Sequence, residues 1–266
     1  MDISETIVDL VDEQNSLDAV MASLPDEAWR LETPSPRWNV ADQISHITYF
    51  DRAAALAITD PKSFKISVND LIASAVGGPE ESDEFTLGKY RKLEPSKLLE
   101  AWRDGRSKLT EASLSLTNQS RVIWYGPSMG SNSFLTARLM EVWAHGQDIL
   151  DTTGLKKPES SRLRHIAHLG LITRGWTYIN RGLNIPEGEV RVELTSPSNE
   201  LWTWGPDGAP DHVKGTAKDF CLVVTQRRHA SDTDLEIVGD LAKEWMELAQ
   251  AFAGPATQGP TKGKKI

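Results

Sequence analysis

The spacing of apolar residues changes once along this chain, after Pro186, and that change limits its fold more than any other feature. Ahead of it the spacing is helical: Ile3, Ile7, Leu10, Val11, Leu17, Val20, Met21 and Leu24 predict a helix that Pro25 ends. Asn39 is a good N-cap, with Asp42 at the position where a carboxylate favours the first turn, so a second helix is predicted over 40–58, stopping at Asp60-Pro61. Further helices are predicted over 62–75 and 95–116, with an acidic, turn-rich loop over 77–84 between them. Another helix, capped by Ser131, Asn132 or Ser133, runs to about Gly154, and one more covers 159–181.

Beyond Pro186, residues 190–195 alternate with period two and read as a strand. Residues 201–204 read as a second strand, 205–208 as a turn, 216–228 as a helix, 234–238 as a third strand and 240–252 as a last helix. The expected class is α+β: an amino-terminal four-helix bundle over 1–185, a small α/β domain over 186–254, and a flexible basic tail over 255–266.

Composition narrows the function. A net charge of −9 argues against a nucleic-acid surface or attachment to anionic lipid. No apolar run approaches the roughly 20 residues needed to cross a bilayer, and the first residues, Met1-Asp2-Ile3-Ser4-Glu5, are acidic rather than leader-like. A lone cysteine, Cys221, excludes an intrachain disulfide and sits in an apolar run, as expected of a buried, inert thiol. The expectation is a soluble cytoplasmic protein acting on a small molecule, without nucleic-acid or membrane partners.

The chemistry concentrates in Glu141-Val142-Trp143-Ala144-His145-Gly146-Gln147-Asp148. Glu141 and His145 are one turn apart, and Asp148 falls in the same arc, roughly 60° wide. Two such side chains can chelate a divalent ion, and an open zinc site takes three protein ligands, His₂Glu being an established set. His46, beside the apolar face of the second helix, is the best third ligand, because facing helices are where bundle metal sites are built. His165 and His168 form a competing pair, whereas His212 and His229 read as loop residues. On pattern alone three readings of the Glu141–His145 stripe stay open: a metal chelate, a buried ion pair and a solvated face. Asp148 fits either a ligand or an acceptor that orients a ligating imidazole.

Trp38-Asn39-Val40-Ala41-Asp42-Gln43-Ile44-Ser45-His46, followed by the Glu141–Asp148 motif, resembles the mycothiol-dependent maleylpyruvate isomerase family, within the wider DinB/YfiT-like group of metal-binding four-helix bundles. The likeness extends to Trp124-Tyr125-Gly126-Pro127, Asp219-Phe220-Cys221 and Thr225-Gln226-Arg227-Arg228-His229, and is nearest to an actinobacterial-type branch described only as metal-binding proteins. It implies a DinB-like bundle and a divalent metal, normally zinc, held by His46, Glu141 and His145. It also implies a thiol cofactor such as mycothiol, and a second domain that closes over the metal and contributes an arginine, Arg227 or Arg228. Many DinB-like proteins use three histidines, so the glutamate favours the isomerase-like branch. Asp148 is then expected to orient His145, and Tyr125 and Ser128 to contact substrate. The implied activity is thiol transfer or thiol-assisted isomerisation of a small electrophile. Hydrolysis by activated water and non-catalytic binding of a metal or small ligand are the alternatives.

Overall fold

The computed structural model describes residues 2–126 and 128–263. The chain separates into two compact units, Met1–Lys157 and Pro158–Ile266.

The first unit is helical. Helix α1 (Ile3–Ser23) starts at Asp2, whose side chain accepts from the backbone of Ser4. Helix α2 (Val40–Thr59) starts at a capping box formed by Asn39 and Asp42, as the sequence predicts. Helices α5 (Pro95–Ser113) and α6 (Ser131–Thr153) complete a four-helix bundle in which α2 packs on α5 and α6, and α1 packs on the same two helices. Gly154 ends α6 with φ 68°, a left-handed conformation that costs glycine little. Between α2 and α5 lie α3 (Pro61–Ala75) and α4 (Pro79–Leu87). The acidic stretch expected as a loop is thus largely helical: Pro79 opens α4, and Glu80 and Glu81 sit in its first turn, where carboxylates suit the helix dipole. A short hairpin, β1 (Arg121–Val122) with β2 (Met129–Gly130), frames the loop ahead of α6.

Helix α6 is buried around most of its circumference, Leu135, Leu139, Val142, Trp143 and Ala144 included. One buried carboxylate ties all four bundle helices together. Asp51 of α2 accepts from Gln14 Nε2 of α1 at 3.3 Å, Trp102 Nε1 of α5 at 3.3 Å, and Arg138 of α6 through Nε at 3.2 Å and Nη2 at 3.0 Å.

In the second unit, residues 159–181 form two helices rather than one, α7 (Leu163–Ile172) and α8 (Arg174–Ile179), broken at Thr173. Strands β3 (Val190–Thr195), β4 (Leu201–Trp204), β5 (Asp211–Thr216) and β6 (Glu236–Val238) form one sheet in the order β4-β3-β5-β6. Strands β3 and β5 are parallel and the other pairs antiparallel. Helices α9 (Ala217–Val224) and α10 (Asp240–Leu248) follow β5 and β6. Strand β5 has no sequence signal, since Val213 is its one aliphatic residue, and it contains His212, which therefore lies in a strand rather than a loop. The compact units divide ahead of residue 185 because α7 packs on α9, and α8 on α10, as a helical layer of the second unit.

Residues 255–263, expected as a flexible tail, are hydrogen-bonded back to the unit. Gln250 Nε2 donates to the Pro255 carbonyl at 3.1 Å, Arg181 Nη2 to that of Thr257 at 2.7 Å, and Gly263 N to Asp232 Oδ2 at 2.8 Å. Cys221 is buried, and that burial pushes its thiol well above the ordinary value, as an inert core residue requires.

Candidate metal centre

The capping box at Asn39 and Asp42 fixes where α2 begins, and Arg91 holds Asp42 from outside through Nε at 2.8 Å and Nη2 at 3.2 Å. His46 therefore projects from the second turn of α2 at a defined height. On α6, Glu141 and His145 stack one turn apart. The two helices bring these three residues together: Glu141 Oε2 lies 3.3 Å from His46 Nε2 and 3.0 Å from His145 Nε2. The three donor atoms all lie within 4.8 Å of one another. Side-chain exposures of 18% for His46 and 21% for Glu141 leave the cluster reachable from solvent, whereas His145 at 9% is nearly covered.

Burial, reinforced by the adjacent His145, pushes His46 down to about 4, so its ring is neutral near pH 7 and offers a lone pair. Burial by itself would push the Glu141 carboxyl up, but contact with the two imidazoles outweighs it and holds the group well below the usual carboxylate range. The site is thus a carboxylate between two imidazoles, a donor set suited to zinc.

His145 has an acceptor on each side. Its Nδ1 meets Gln43 Oε1 at 2.5 Å, and its Nε2 meets the Glu141 carboxylate. A divalent cation among the three donors would suit this arrangement, with the Nδ1 hydrogen kept for Gln43 and the Nε2 lone pair offered to the ion. On this chemistry the residues fit a metal ion.

Asp148, expected to orient His145, has Oδ2 3.9 Å from its Nδ1 and accepts from Ser35 Oγ at 3.2 Å. Gln43 Oε1 is the nearer acceptor at Nδ1, at 2.5 Å. Aromatic rings wall the site. Trp38 lies against His46 and His145 at centroid distances of 4.9 and 5.9 Å, and Phe50 against His46 at 4.6 Å. Tyr125 packs edge-on against Phe50 at 5.5 Å, placing the loop before α6 next to this wall. Burial and the neighbouring Tyr49 raise its phenol well above the ordinary range, so the hydroxyl stays protonated. Ser128 differs: its hydroxyl accepts from Arg121 Nε at 3.0 Å and braces the hairpin. Pro127 lies outside the described residues.

His165 and His168 lie on α7 of the second unit. Arg227 and Arg228 follow α9 there, both with backbone N–H groups donating to the Leu222 carbonyl, at 2.7 and 3.2 Å. Arg227 Nη1 donates to the Thr225 carbonyl at 2.8 Å, and Arg228 Nη1 to that of Arg227 at 2.7 Å. Sequence reasoning missed Gln43. The available signal was that Gln43, Trp38 and His46 share one motif, with Gln43 one turn ahead of His46.

The fold and site define a helical-bundle protein with a candidate His, Glu, His metal centre on two facing helices. Residues 10–150 match the model of the mycothiol maleylpyruvate isomerase N-terminal domain, and the chain belongs to that family. It is 41% identical over 253 residues to uncharacterised proteins from two strains of Mycobacterium tuberculosis, covering 95% of this chain and 97% of theirs. Among solved structures, the mycothiol-dependent maleylpyruvate isomerase superposes with a TM-score of 0.56 at 17% identity, covering 86% of this chain and 90% of that one. A histidine-to-alanine variant of that enzyme gives 0.57 at 16% identity, with 87% and 91% covered. At these identities the structural likeness concerns the fold. No helix among the described residues is long and apolar enough to cross a membrane.

Proposed function

We propose that this chain is a zinc-dependent enzyme that uses a low-molecular-weight thiol such as mycothiol, acting as a thiol-assisted isomerase or thiol transferase on a small electrophile. The observation that carries this reading is the convergence of His46, Glu141 and His145 within 4.8 Å, in a chain of the mycothiol maleylpyruvate isomerase family. The related solved enzyme is named for dependence on mycothiol, which makes that thiol the first to test.

His46 and His145 would hold the ion through Nε2 and Glu141 through its carboxylate. Zinc in such a site supplies Lewis acidity, lowering the pKa of a bound thiol or water toward neutrality. Trp38 and Phe50 limit water around the imidazoles and give an apolar wall for an acyl or alkenyl substrate. Tyr125, protonated at neutral pH, would donate a hydrogen bond to a substrate oxygen. Asp148 would support the site through the Ser35 loop. Arg227 and Arg228 are proposed as cationic residues for an anionic substrate group, and Ser128 acts through hairpin geometry rather than by direct contact.

The test is metal analysis of the purified protein, followed by titration of the cobalt-substituted protein with mycothiol. The expected results are about one metal ion per chain, a thiol-dependent change in the cobalt absorption bands, and loss of both metal and activity in His145→Ala. Full activity in a metal-free His145→Ala protein would refute the reading. A cobalt spectrum indifferent to thiol, with activity retained, would redirect it to metal-dependent hydrolysis.

A further inference from the structure

The hydrogen bonds behind His145 can be assigned donor by donor. The Trp38 carbonyl only accepts, so the Thr33 hydroxyl, 2.8 Å away, must spend its hydrogen there. Thr33 Oγ1 must then accept from its other partner, Gln43 Nε2, also at 2.8 Å. That fixes the Gln43 amide, which is fully buried, with its carbonyl Oε1 toward His145. An amide oxygen cannot donate, so the 2.5 Å contact requires the hydrogen on His145 Nδ1. With that hydrogen in place, Nε2, which faces Glu141, is the nitrogen left to offer a lone pair to an ion.

The relay begins in the loop between α1 and α2, which is itself braced. Thr33 N donates to the Trp38 carbonyl at 2.9 Å, Trp38 N to that of Ser35 at 3.1 Å, and Val40 N to that of Leu31 at 3.0 Å. The same loop sends Ser35 to Asp148, and places the Trp38 ring against both imidazoles.

We propose that Gln43 is the positioning residue of this centre, fixing the Nδ1–H tautomer of His145 through a relay from Trp38 and Thr33, so that Nε2 is presented to a metal ion. The inference rests on the metal-centre reading for its purpose, but the tautomer is a property of the metal-free protein. Groups that fix a ligating histidine in this way are worth on the order of 10- to 100-fold in metal affinity.

The experiment uses full-length protein labelled with ¹⁵N-histidine, with His145 identified by its absence in His145→Asn. In the metal-free wild type, long-range ¹H–¹⁵N spectra, recorded at a pH high enough that the ring carries a single hydrogen, should show His145 in the Nδ1–H form. Gln43→Leu should shift it to the Nε2–H form donating to Glu141, and weaken zinc binding, read by competition with a chromophoric chelator, by about 10- to 100-fold. Gln43→Glu keeps an acceptor at that point and should retain both the Nδ1–H form and zinc affinity within a few-fold. If Gln43→Leu fails to fold, Thr33→Val, which frees the amide to reorient, should give a mixed tautomer with an intermediate loss of affinity. An Nε2–H signal in the wild type, or an unchanged tautomer and zinc affinity in Gln43→Leu, overturns the proposal. If the wild type binds no zinc, the metal reading fails while the spectra still decide whether Gln43 sets the tautomer.

Discussion

Arg138 and Asp51 form a forked ion pair in the middle of the bundle, with Nε and Nη2 of the guanidinium 3.2 and 3.0 Å from the same carboxylate oxygen. Their side chains are 4% and 0% exposed, so neither charge has water to fall back on. Gln14 and Trp102 occupy the other oxygen, which makes Asp51 the acceptor through which four helices share one register. Arg138 lies one turn before Glu141 on α6, so the pair also fixes the height at which Glu141 meets His46.

Asp51→Ala should therefore cost about 3–5 kcal/mol in urea unfolding, because it leaves a buried guanidinium unpaired. The double replacement Asp51→Leu with Arg138→Met should be less destabilising than Asp51→Ala, since it removes both charges rather than one. A double variant no more stable than Asp51→Ala would show that the network's value lies in its neutral hydrogen bonds instead.

Metal loading should stabilise the fold. Zinc at a hundredfold excess over Kd adds about 2.7 kcal/mol to the native state, a Tm rise on the order of 5–10 °C for a chain of this size. His46→Ala, Glu141→Gln and His145→Ala should each remove most of that rise, in scanning fluorimetry with and without zinc, while shifting the metal-free Tm much less.

The loop before α6 separates two roles. Tyr125→Phe removes a protonated hydroxyl beside the Phe50 wall, and should lower kcat/KM by about tenfold, the value of one hydrogen bond to substrate. Ser128→Ala removes an acceptor from Arg121 on an exposed turn, and should change kcat/KM by less than about twofold. Steady-state kinetics on both variants, once a turned-over substrate is in hand, checks the contrast. Equal effects would place Tyr125 in a purely structural role.

Acid should weaken one surface network in a defined direction. The Arg103 hydrogen bonds, with the nearby Arg106 charge, hold the Asp18 carboxyl below its ordinary value of 3.8. A depressed carboxylate adds stability that is fully present above the unfolded-state value and is lost as pH falls through the folded-state one. Partial exposure keeps the gain at roughly 1 kcal/mol or less. Asp18→Asn should thus be less stable than the wild type at pH 7, and the gap in urea midpoint should close below about pH 4. A gap that persists unchanged in acid would assign the difference to packing.

The helices of the bundle were legible because each carries its own boundary chemistry. Asn39 with Asp42, Pro61, Pro95 and Gly154 act within one turn of themselves, so they need no tertiary context. Strand β3 was legible for a similar reason, since Val190, Val192 and Leu194 alternate onto a buried face. Strand β5 was not: its backbone is ordered by parallel pairing with β3, which no local pattern encodes. The acidic stretch misread as a loop became α4 because Pro79 and the glutamates after it suit a helical first turn better than their turn-like composition implied.

At the candidate metal centre, sequence determined the identity of the three clustered residues and the one-turn spacing of Glu141 and His145, because helical periodicity converts residue number into direction. What only tertiary structure decided was the approach of α2 to α6, and the partners behind each ligand. Gln43 Oε1 lies nearer to His145 Nδ1 than the nearer-numbered Asp148 does, at 2.5 against 3.9 Å, through a contact between helices whose residues are 102 positions apart in the chain. Hydrogen-bond direction depends on where both atoms end up in space, and spacing along one helix carries no information about its neighbour.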